Sequence, residues 1–323
     1  MMTTMLSRVA DTLYWMSRYL ERAEHTTRLM DVDLQLRLDQ SPESTTGRWL
    51  RLIEALRVPA SLTGNADGTS LAHTLTFSRM NPSSIVSCVA AARENLRHVR
   101  EQCSSEMWEQ LNRLYLQMLG TSPDEAWILG SHTFYRSVQE GANLFQGITD
   151  STMSHGEGWH FIQLGRYVER TDNLAALIGT YFSRLAQPPD QAVEGAEYLE
   201  WVGLLKCCAA FEAYCKAYSA ELRPLRVAEF LLLNSEFPHS LRFSVESVHA
   251  ALRLLGELTD RKMSEPVRLA GRLRATLSFS QIEEIMADGA YLYLENVRRE
   301  CSQIHAAIQQ IYFTYSAESA LVA

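Results

Sequence analysis

The residues whose types and spacing could do chemistry are arginines and glutamates in a motif that occurs twice. The stretches Arg18-Tyr-Leu-Glu-Arg22 and Arg166-Tyr-Val-Glu-Arg170 share the pattern Arg-Tyr-apolar-Glu-Arg and begin 148 residues apart. A guanidinium group can bind a carboxylate through two parallel hydrogen bonds, and it binds phosphate equally well. The motif therefore indicates either a buried salt-bridge network or a site for an anionic ligand, and the sequence leaves both interpretations open.

Helical spacing predicts where these side chains point. At about 100° per residue, Arg18 and Arg22 share one stripe with Tyr14 in front and His25 behind. If the two motif helices face each other, their charged residues meet in one layer. This predicted charge layer consists of Arg18, Glu21, Arg22, Arg166, Glu169 and Arg170, with Tyr14, His25 and Trp159 as secondary candidates.

The charge count decides which chemistry the layer could support. Its four arginines and two glutamates leave two positive charges in excess, which a ligand carboxylate or phosphate could neutralise. Arginine neighbours lower the pKa of a carboxyl group, so neither glutamate is suited to act as an acid at neutral pH. Catalytic residues are not identified by the sequence.

The elements that must position the layer are helices. Apolar residues from Leu6 to Leu34 recur three and four apart, which predicts a long helix from about Ser7 to Leu38. A second helix is expected at about 48–57, after turn formers at 40–47. Further starts are expected at Asn81-Pro-Ser-Ser84, at Ser104 and at Thr121. No segment shows sustained strand alternation, so the fold class is all-α.

The second half repeats this order. Its motif helix is expected from after Gly158 to about Leu185, and a helix around Trp201 corresponds to one around Trp49. Phe237-Pro-His-Ser240 matches Asn81-Pro-Ser-Ser84 at an offset of 156. We predict a single domain over 1–323, a helical bundle of two pseudo-repeats, 1–150 and 151–323, related by an approximate two-fold axis. Ser280-Gln-Ile-Glu283 predicts the capping box of a last helix ending near 315.

Composition restricts the class of protein. The 323 residues carry a net charge of −8 without a basic run, so nucleic-acid binding is not expected. The apolar run Phe230–Leu233 is far shorter than the roughly 20 residues that cross a bilayer. Arg8 and Asp11 interrupt any apolar leader, and the six cysteines lack Cys-x-x-Cys spacing. We expect a cytoplasmic protein with free thiols that does not bind membranes.

Motifs for cofactors and metals are missing from the sequence. There is no Gly-x-x-x-x-Gly-Lys phosphate loop, no Gly-x-Ser-x-Gly and no His-Glu-x-x-His. Glu246-Ser-Val-His249 has the spacing of a helical di-iron motif, but no second pair stands at the matching position of the first half. We therefore expect neither a cofactor nor a metal.

Several motifs together resemble the bacterial alpha-E family along essentially the whole chain. They are the two Arg-Tyr-x-Glu-Arg motifs, Ala92-Arg-Glu-Asn-Leu96, Glu106–Asn112, Gly158-Trp-His-Phe161 and Phe237-Pro-His-Ser-Leu241. The chain departs from the family pattern at Ser17, where glycine is usual, and at His239, where arginine is common. The resemblance places the family signature on the six residues of the charge layer.

The resemblance also implies a setting. Proteins of this kind are all-helical and are encoded beside, or fused to, circularly permuted ATP-grasp proteins and often transglutaminase-like proteases. It implies an accessory role in a system that forms amide or peptide bonds or modifies peptides, with the chain binding the ligase or its substrate. The alternative is an enzyme of the same pathway whose arginines bind a carboxylate or acyl-phosphate. Whether the chain forms a homo-oligomer is left open.

Overall fold

Helices make up all of the regular structure in the part of the chain that the computed structural model describes, which is residues 5–38, 42–63, 68–121, 131–183 and 191–314. The all-α prediction is confirmed. The helices of the first half are α1 (Ser7–Leu38), α2 (Pro42–Ala55), α3 (Ala60–Thr63), α4 (Gly68–Thr76), α5 (Ile85–His98), α6 (Ser105–Gly120) and α7 (Ser131–Thr152). Those of the second half are α8 (Glu157–Phe182), α9 (Gly195–Cys207), α10 (Phe211–Tyr218), α11 (Pro224–Leu233), α12 (Leu241–Leu258), α13 (Glu265–Phe279), α14 (Ile282–Asp288) and α15 (Ala290–Ile308).

The two motif helices, α1 and α8, form the centre of the bundle and pack against each other. On one side α1 also contacts α5 and α7, and α6 packs on both of these. On the other side α8 contacts α12 and α15, and α13 packs on both of these. α2 crosses to α8, whereas α9 crosses to α1. A central helix has little solvent-facing surface, so most of its polar residues are buried along with its apolar ones.

The burial of α1 illustrates this position. Its apolar seam is buried at Leu13 and Met16, and its charged stripe is buried as well, with Arg18 8% and Glu21 2% exposed. A charge removed from water must be paired or hydrogen-bonded. The fold therefore requires partners for the motif, and α8 is the nearest helix that can supply them.

A close approach at Gly165 fixes how α1 and α8 meet. A Cβ atom at this position would lie 2.2 Å from the Tyr14 carbonyl oxygen and 3.0 Å from the Ser17 Cβ. Only glycine allows the two backbones to come this close. The crossing lies just before Arg18 on one helix and Arg166 on the other, so the two charged stripes are brought face to face.

Helix starts agree with the sequence where serine caps them. Ser84 Oγ accepts a hydrogen bond from the Ser87 N–H at 3.2 Å, and Ser240 Oγ accepts one from the Phe243 N–H at 3.0 Å. α2 begins at Pro42, earlier than expected, because proline is well suited to a first helical turn. Between α3 and α4, residues 64–67 lie outside the described part of the chain, as does most of the start predicted at Thr121.

The predicted C-terminal capping box is wrong. Ser280 ends α13, and its hydroxyl donates to the Thr276 carbonyl at 2.8 Å instead of capping a following helix. The expected single helix is divided at Gly289, which has a φ of +96°. Within the described residues, no helix has the length and apolar content needed to span a membrane.

Candidate functional site: a buried charge layer and its cleft

The structure brings the six charged residues together, with glutamates and arginines exchanged between the helices. Glu169 on α8 accepts hydrogen bonds from two arginines of α1. Its Oε2 lies 2.7 Å from Arg18 Nε and its Oε1 lies 2.7 Å from Arg22 Nε. Glu169 is 1% exposed, so this carboxylate is neutralised from both sides in a setting without solvent.

Glu21 on α1 has the corresponding partners on α8. Arg170 donates from Nε to Oε1 at 2.5 Å and from Nη2 to Oε2 at 2.9 Å, the bidentate geometry of an arginine–carboxylate pair. Gln146 of α7 donates to the same Oε2 at 3.5 Å. Arg166 is more distant, with its Nε 3.9 Å from Glu21 Oε2 and no hydrogen-bond partner among the described residues.

The electrostatics of the layer favour binding over proton transfer. Burial alone would raise the pKa of Glu169, but the charges of Arg18 and Arg22 outweigh it and lower the pKa from 4.5 to about 2. A carboxylate with this pKa does not take up a proton at neutral pH. The arginine neighbours therefore lower the pKa of this carboxyl group, as the sequence predicts.

Tyr14 supports the layer from one end. Its ring is fully buried, and its hydroxyl lies 2.8 Å from His305 Nδ1. Arg18 Nη1 lies 3.1 Å from the same nitrogen, and since arginine can only donate, Nδ1 must accept. Burial, with Arg18 adding to it, lowers the pKa of His305 to about 4, so the neutral ring suits this role. Arg18 also lies over Trp15, 4.7 Å from the ring centroid, which leaves it enclosed.

Arg22 occupies the open end of the layer. Its side chain is 25% exposed, whereas that of Arg170 is 3% exposed. In the described part of the chain, its terminal Nη1 and Nη2 donate to no protein acceptor. They border a cleft of about 350 Å³, within the range of small-molecule sites. Its walls are formed by Arg18, Arg22, His25, Thr26, Leu56, Arg57, Val58, Pro59, Leu62, Leu75, Asn81, Pro82, Ser83, Asp172 and Asn173.

Two buried polar atoms in this cleft lack protein partners among the described residues. They are His25 Nε2 and Asn173 Nδ2, on side chains belonging to residues only 7% and 5% exposed. Burial lowers the pKa of His25 to about 4, so its ring is neutral at pH 7. Leaving such a group unsatisfied costs about 1–3 kcal/mol. These two atoms therefore lie just beneath the surface of the cleft, on side chains that line it, without hydrogen-bond partners in the described part of the chain.

Arg57 adds a third guanidinium to the cleft. It follows α2 with a φ of +52°, a left-handed conformation that is unfavourable for arginine. This turn directs the side chain to Asp172, with which it forms an ion pair, and to Asn173 Oδ1 at 3.3 Å. The backbone strain is therefore located at the mouth of the cleft.

The other end of the layer is closed by the protein itself. Arg170 Nη1 donates to the Pro238 carbonyl at 3.1 Å, so each of its three nitrogens is satisfied. Burial, and then the charge of Arg170, lower the pKa of the adjacent His239 well below 6.5. Pro238 and His239 correspond in sequence to Pro82 and Ser83, which line the cleft beside Arg22. Equivalent segments thus fill one end and leave the other open.

Trp159 lies away from the layer. Its indole stacks on His155 with ring centroids 4.1 Å apart and donates to Asp150 Oδ1 at 3.2 Å. The residue stands seven positions before Arg166, which is about 10 Å along a helix. It shares the stripe, as predicted, but is too far along the axis to contact the glutamates.

Other potential reactive groups are protected by burial. Burial raises the pKa of Cys88, Cys103, Cys208 and Cys301 to about 12, so these thiols are not nucleophiles at neutral pH. All six cysteines are free. Among the described residues there is no group of three or more His, Cys, Asp or Glu side chains arranged to hold a metal ion.

Sequence reasoning missed Arg57, Asn173 and His305. Arg57 and His305 stand in no repeated motif, and their contacts span 115 to 291 residues. Asp172 carried a usable signal, since it is the acidic residue two places after the second motif. In the structure it pairs with Arg57 and, at 3.2 Å, with Arg298.

The fold and the layer define an all-helical protein whose two central helices exchange arginine–glutamate pairs. The chain matches the model of the Alpha-E family, described as a predicted alpha-helical domain with a conserved ER motif, over residues 5–313. It belongs to this family, and Glu21-Arg22 and Glu169-Arg170 are its two Glu-Arg pairs within the layer.

Relatives extend the comparison to longer proteins. Rv2567 of Mycobacterium tuberculosis and Mb2597 of Mycobacterium bovis, both described as uncharacterized proteins, are each 24% identical to the chain over 328 residues. The alignments cover 94% of this chain and 36% of each relative, so the chain spans about a third of their length. No solved structure matches the chain.

Proposed function

We propose that the chain is an accessory protein of a cytoplasmic, ATP-grasp-linked system that forms amide or peptide bonds or modifies peptides. In this role it binds the ligase or the ligase's substrate. The observation that carries the proposal is the cleft beside Arg22, which offers guanidinium groups next to a layer whose carboxylates are already neutralised. Such a site can hold an acidic group.

The proposed partners follow from the family resemblance. They are a circularly permuted ATP-grasp protein and, in the same pathway, a transglutaminase-like protease. Six free thiols are consistent with the reducing conditions of the cytoplasm. A single chain of this kind would present a substrate while the ATP-grasp protein performs the ligation.

We also propose that the two halves, 1–150 and 151–323, arose by internal duplication and are related by an approximate two-fold axis. The exchanged pairs support this, since Arg18 and Arg22 bind Glu169 while Arg170 binds Glu21. The crossed packing of α2 on α8 and of α9 on α1 supports it as well.

The second candidate is an enzyme of the same pathway whose arginines bind a carboxylate or acyl-phosphate. The same open cleft favours it, because positive groups held in place can stabilise charge that develops during a reaction. Arg22 and Arg57 are the residues to test. Arg170 is unsuitable, since its removal would leave Glu21 buried without its main partner.

Co-expression with a circularly permuted ATP-grasp protein from the same organism tests the proposal. We expect a stable complex in size-exclusion chromatography and no turnover of acyl-phosphate or amide substrates by the isolated chain. If the isolated chain turns over such a substrate, and Arg22→Ala abolishes turnover without unfolding, the enzyme interpretation replaces ours. Arg253→Ala is the matched control, since Arg253 forms an exposed ion pair with Glu257 far along α12.

A further inference from the structure

We propose that the cleft beside Arg22 binds one carboxylate of a small monoanionic ligand, an N-acylated amino acid or the C-terminal residue of a short peptide with an apolar side chain. This inference rests on the proposed binding function and names the ligand class of the same site. It assigns the carboxylate to Arg22 and Arg57, and the neighbouring amide to His25 and Asn173.

The charge around the cleft selects a monoanion. Three arginines, Arg18, Arg22 and Arg57, face two carboxylates, those of Glu169 and Asp172. They leave one net positive charge, because the neutral His25 adds none and Arg298, which also pairs with Asp172, is balanced by its own partner Glu295. A carboxylate would cancel this charge, whereas a phosphate dianion would leave one negative charge in excess.

The unsatisfied atoms of the cleft indicate what the ligand must offer. The terminal nitrogens of Arg22 border the cleft and are donors, and the Nδ2 of Asn173, just beneath the cleft surface, is another, so the ligand must bring acceptor oxygens. His25 lines the same cleft and makes no hydrogen bond within the described part of the chain, so its neutral ring can pair with an amide N–H or carbonyl of the ligand. A carboxylate next to an amide meets all three requirements at once.

Part of the remaining lining is apolar. Leu56, Val58, Leu62 and Leu75 contribute to it, alongside the polar residues Thr26, Asn81 and Ser83. Leu75 is 2% exposed, so this wall is continuous with the core. An aliphatic side chain on the ligand would be buried against these residues. A simple inorganic anion has no apolar group to bury there.

At the closed end of the layer, a backbone carbonyl of the protein occupies the position next to Arg170 that the cleft occupies next to Arg22. Arg170 donates to the Pro238 carbonyl oxygen, and Pro238 matches Pro82 of the cleft. The arginine equivalent to Arg22 is therefore satisfied by a carbonyl acceptor. At the open end we assign that acceptor position to the ligand.

Titration calorimetry with the whole chain tests the assignment, using N-acetyl-L-leucine as the probe and N-acetyl-L-leucinamide as its uncharged match. A ligand of this size that buries one side chain is expected to bind with a Kd of about 1–10 mM. The amide should bind at least about tenfold more weakly, because it cannot neutralise the arginines.

Arg22→Gln and Arg57→Gln should each weaken binding of the acid about tenfold or more, with Arg253→Gln as the unaffected control. Circular dichroism checks the fold, and Arg57, whose side chain is 39% exposed, provides the test should Arg22→Gln fail to fold. Four results would each overturn the inference. They are equal binding of the acid and the amide, tighter binding of inorganic phosphate than of the acid, undiminished binding of the acid by the folded variants, and no binding of the acid at all.

The two proposals can fail separately. Binding of the acid by a chain that never associates with an ATP-grasp protein would reject the accessory function and leave the ligand assignment standing. A stable complex formed by a chain that does not bind the acid would reject the ligand assignment alone.

Discussion

Glu169→Gln is the substitution that tests the charge layer most directly. It preserves the size of the side chain and removes the negative charge that lies between Arg18 and Arg22. Each of these arginines has its Nε 2.7 Å from one carboxylate oxygen. A glutamine offers one oxygen and one N–H₂ group, so one arginine keeps an acceptor while the other faces a donor.

The expected loss can be worked out from these contacts. A hydrogen bond to a charged group contributes about 1.5–3 kcal/mol, and removing one member of a buried ion pair costs about 3–5 kcal/mol. Arg22 can turn partly into the cleft, since its side chain is 25% exposed, which reduces the loss. We expect the free energy of unfolding to fall by about 3 kcal/mol.

Urea unfolding followed by far-UV circular dichroism measures this loss. Glu257→Gln is the matched control, because Glu257 pairs with Arg253 at 2.8 Å on the exposed face of α12, and its loss should stay within about 0.5 kcal/mol. Adding Arg22→Gln to Glu169→Gln should recover part of the loss by removing one of the stranded charges. A loss below about 1 kcal/mol at unchanged m-value would refute the reasoning, since the layer would then not be desolvated.

Three further outcomes are expected. The pKa of Glu169 falls from 4.5 in the unfolded chain to about 2 in the folded protein. The stabilisation that this carboxylate provides, about 3 kcal/mol, is therefore present above pH 4.5 and is lost as the pH falls towards 2. Acid titration should show this loss of stability in the parent protein and not in Glu169→Gln. In urea unfolding, Gly165→Ala should lower the free energy of unfolding by about 3 kcal/mol or more, because the new Cβ atom would clash with the Tyr14 carbonyl oxygen. Gly147→Ala is the control: a Cβ atom there would contact nothing within 4 Å, so the free energy of unfolding should rise by up to about 1 kcal/mol. Tyr14→Phe removes the hydrogen bond to His305 and should lower the free energy of unfolding by about 1 kcal/mol in the same assay. An unchanged urea midpoint would contradict that hydrogen bond.

Local and periodic features were predictable from the sequence. The limits of α1, Ser7–Leu38, agree with the prediction because an uninterrupted apolar seam spans the helix. The charge layer was predictable because helical spacing and the repeated Arg-Tyr-x-Glu-Arg motif both place its members on facing stripes. The start of α2 and the end of α13 were not, since proline and serine have several roles and tertiary contacts select among them.

The cleft could not have been found in this way. It depends on Arg57, whose left-handed backbone has no signal in its neighbours, and on a distance of more than a hundred residues to Asp172. The isolation of His25 Nε2 is likewise a property of everything packed around it. Periodicity in the sequence shows which face of a helix a residue occupies. Whether a buried polar atom lacks a hydrogen-bond partner depends on all the side chains packed around it, so only the structure shows it.

The exchanged pairs also have a consequence for biosynthesis. Arg18 and its partner Glu169 are 151 residues apart, and at roughly 5–20 residues per second the ribosome delivers the second about 8–30 s after the first. During this interval α1 can pack on α5 and α7, but α8 has not been made, so the arginines of α1 and the part of its surface that α8 covers lack their final contacts. The newly made first half must therefore remain dispersed until α8 emerges, which makes the rate of translation and the availability of chaperones part of what determines its yield.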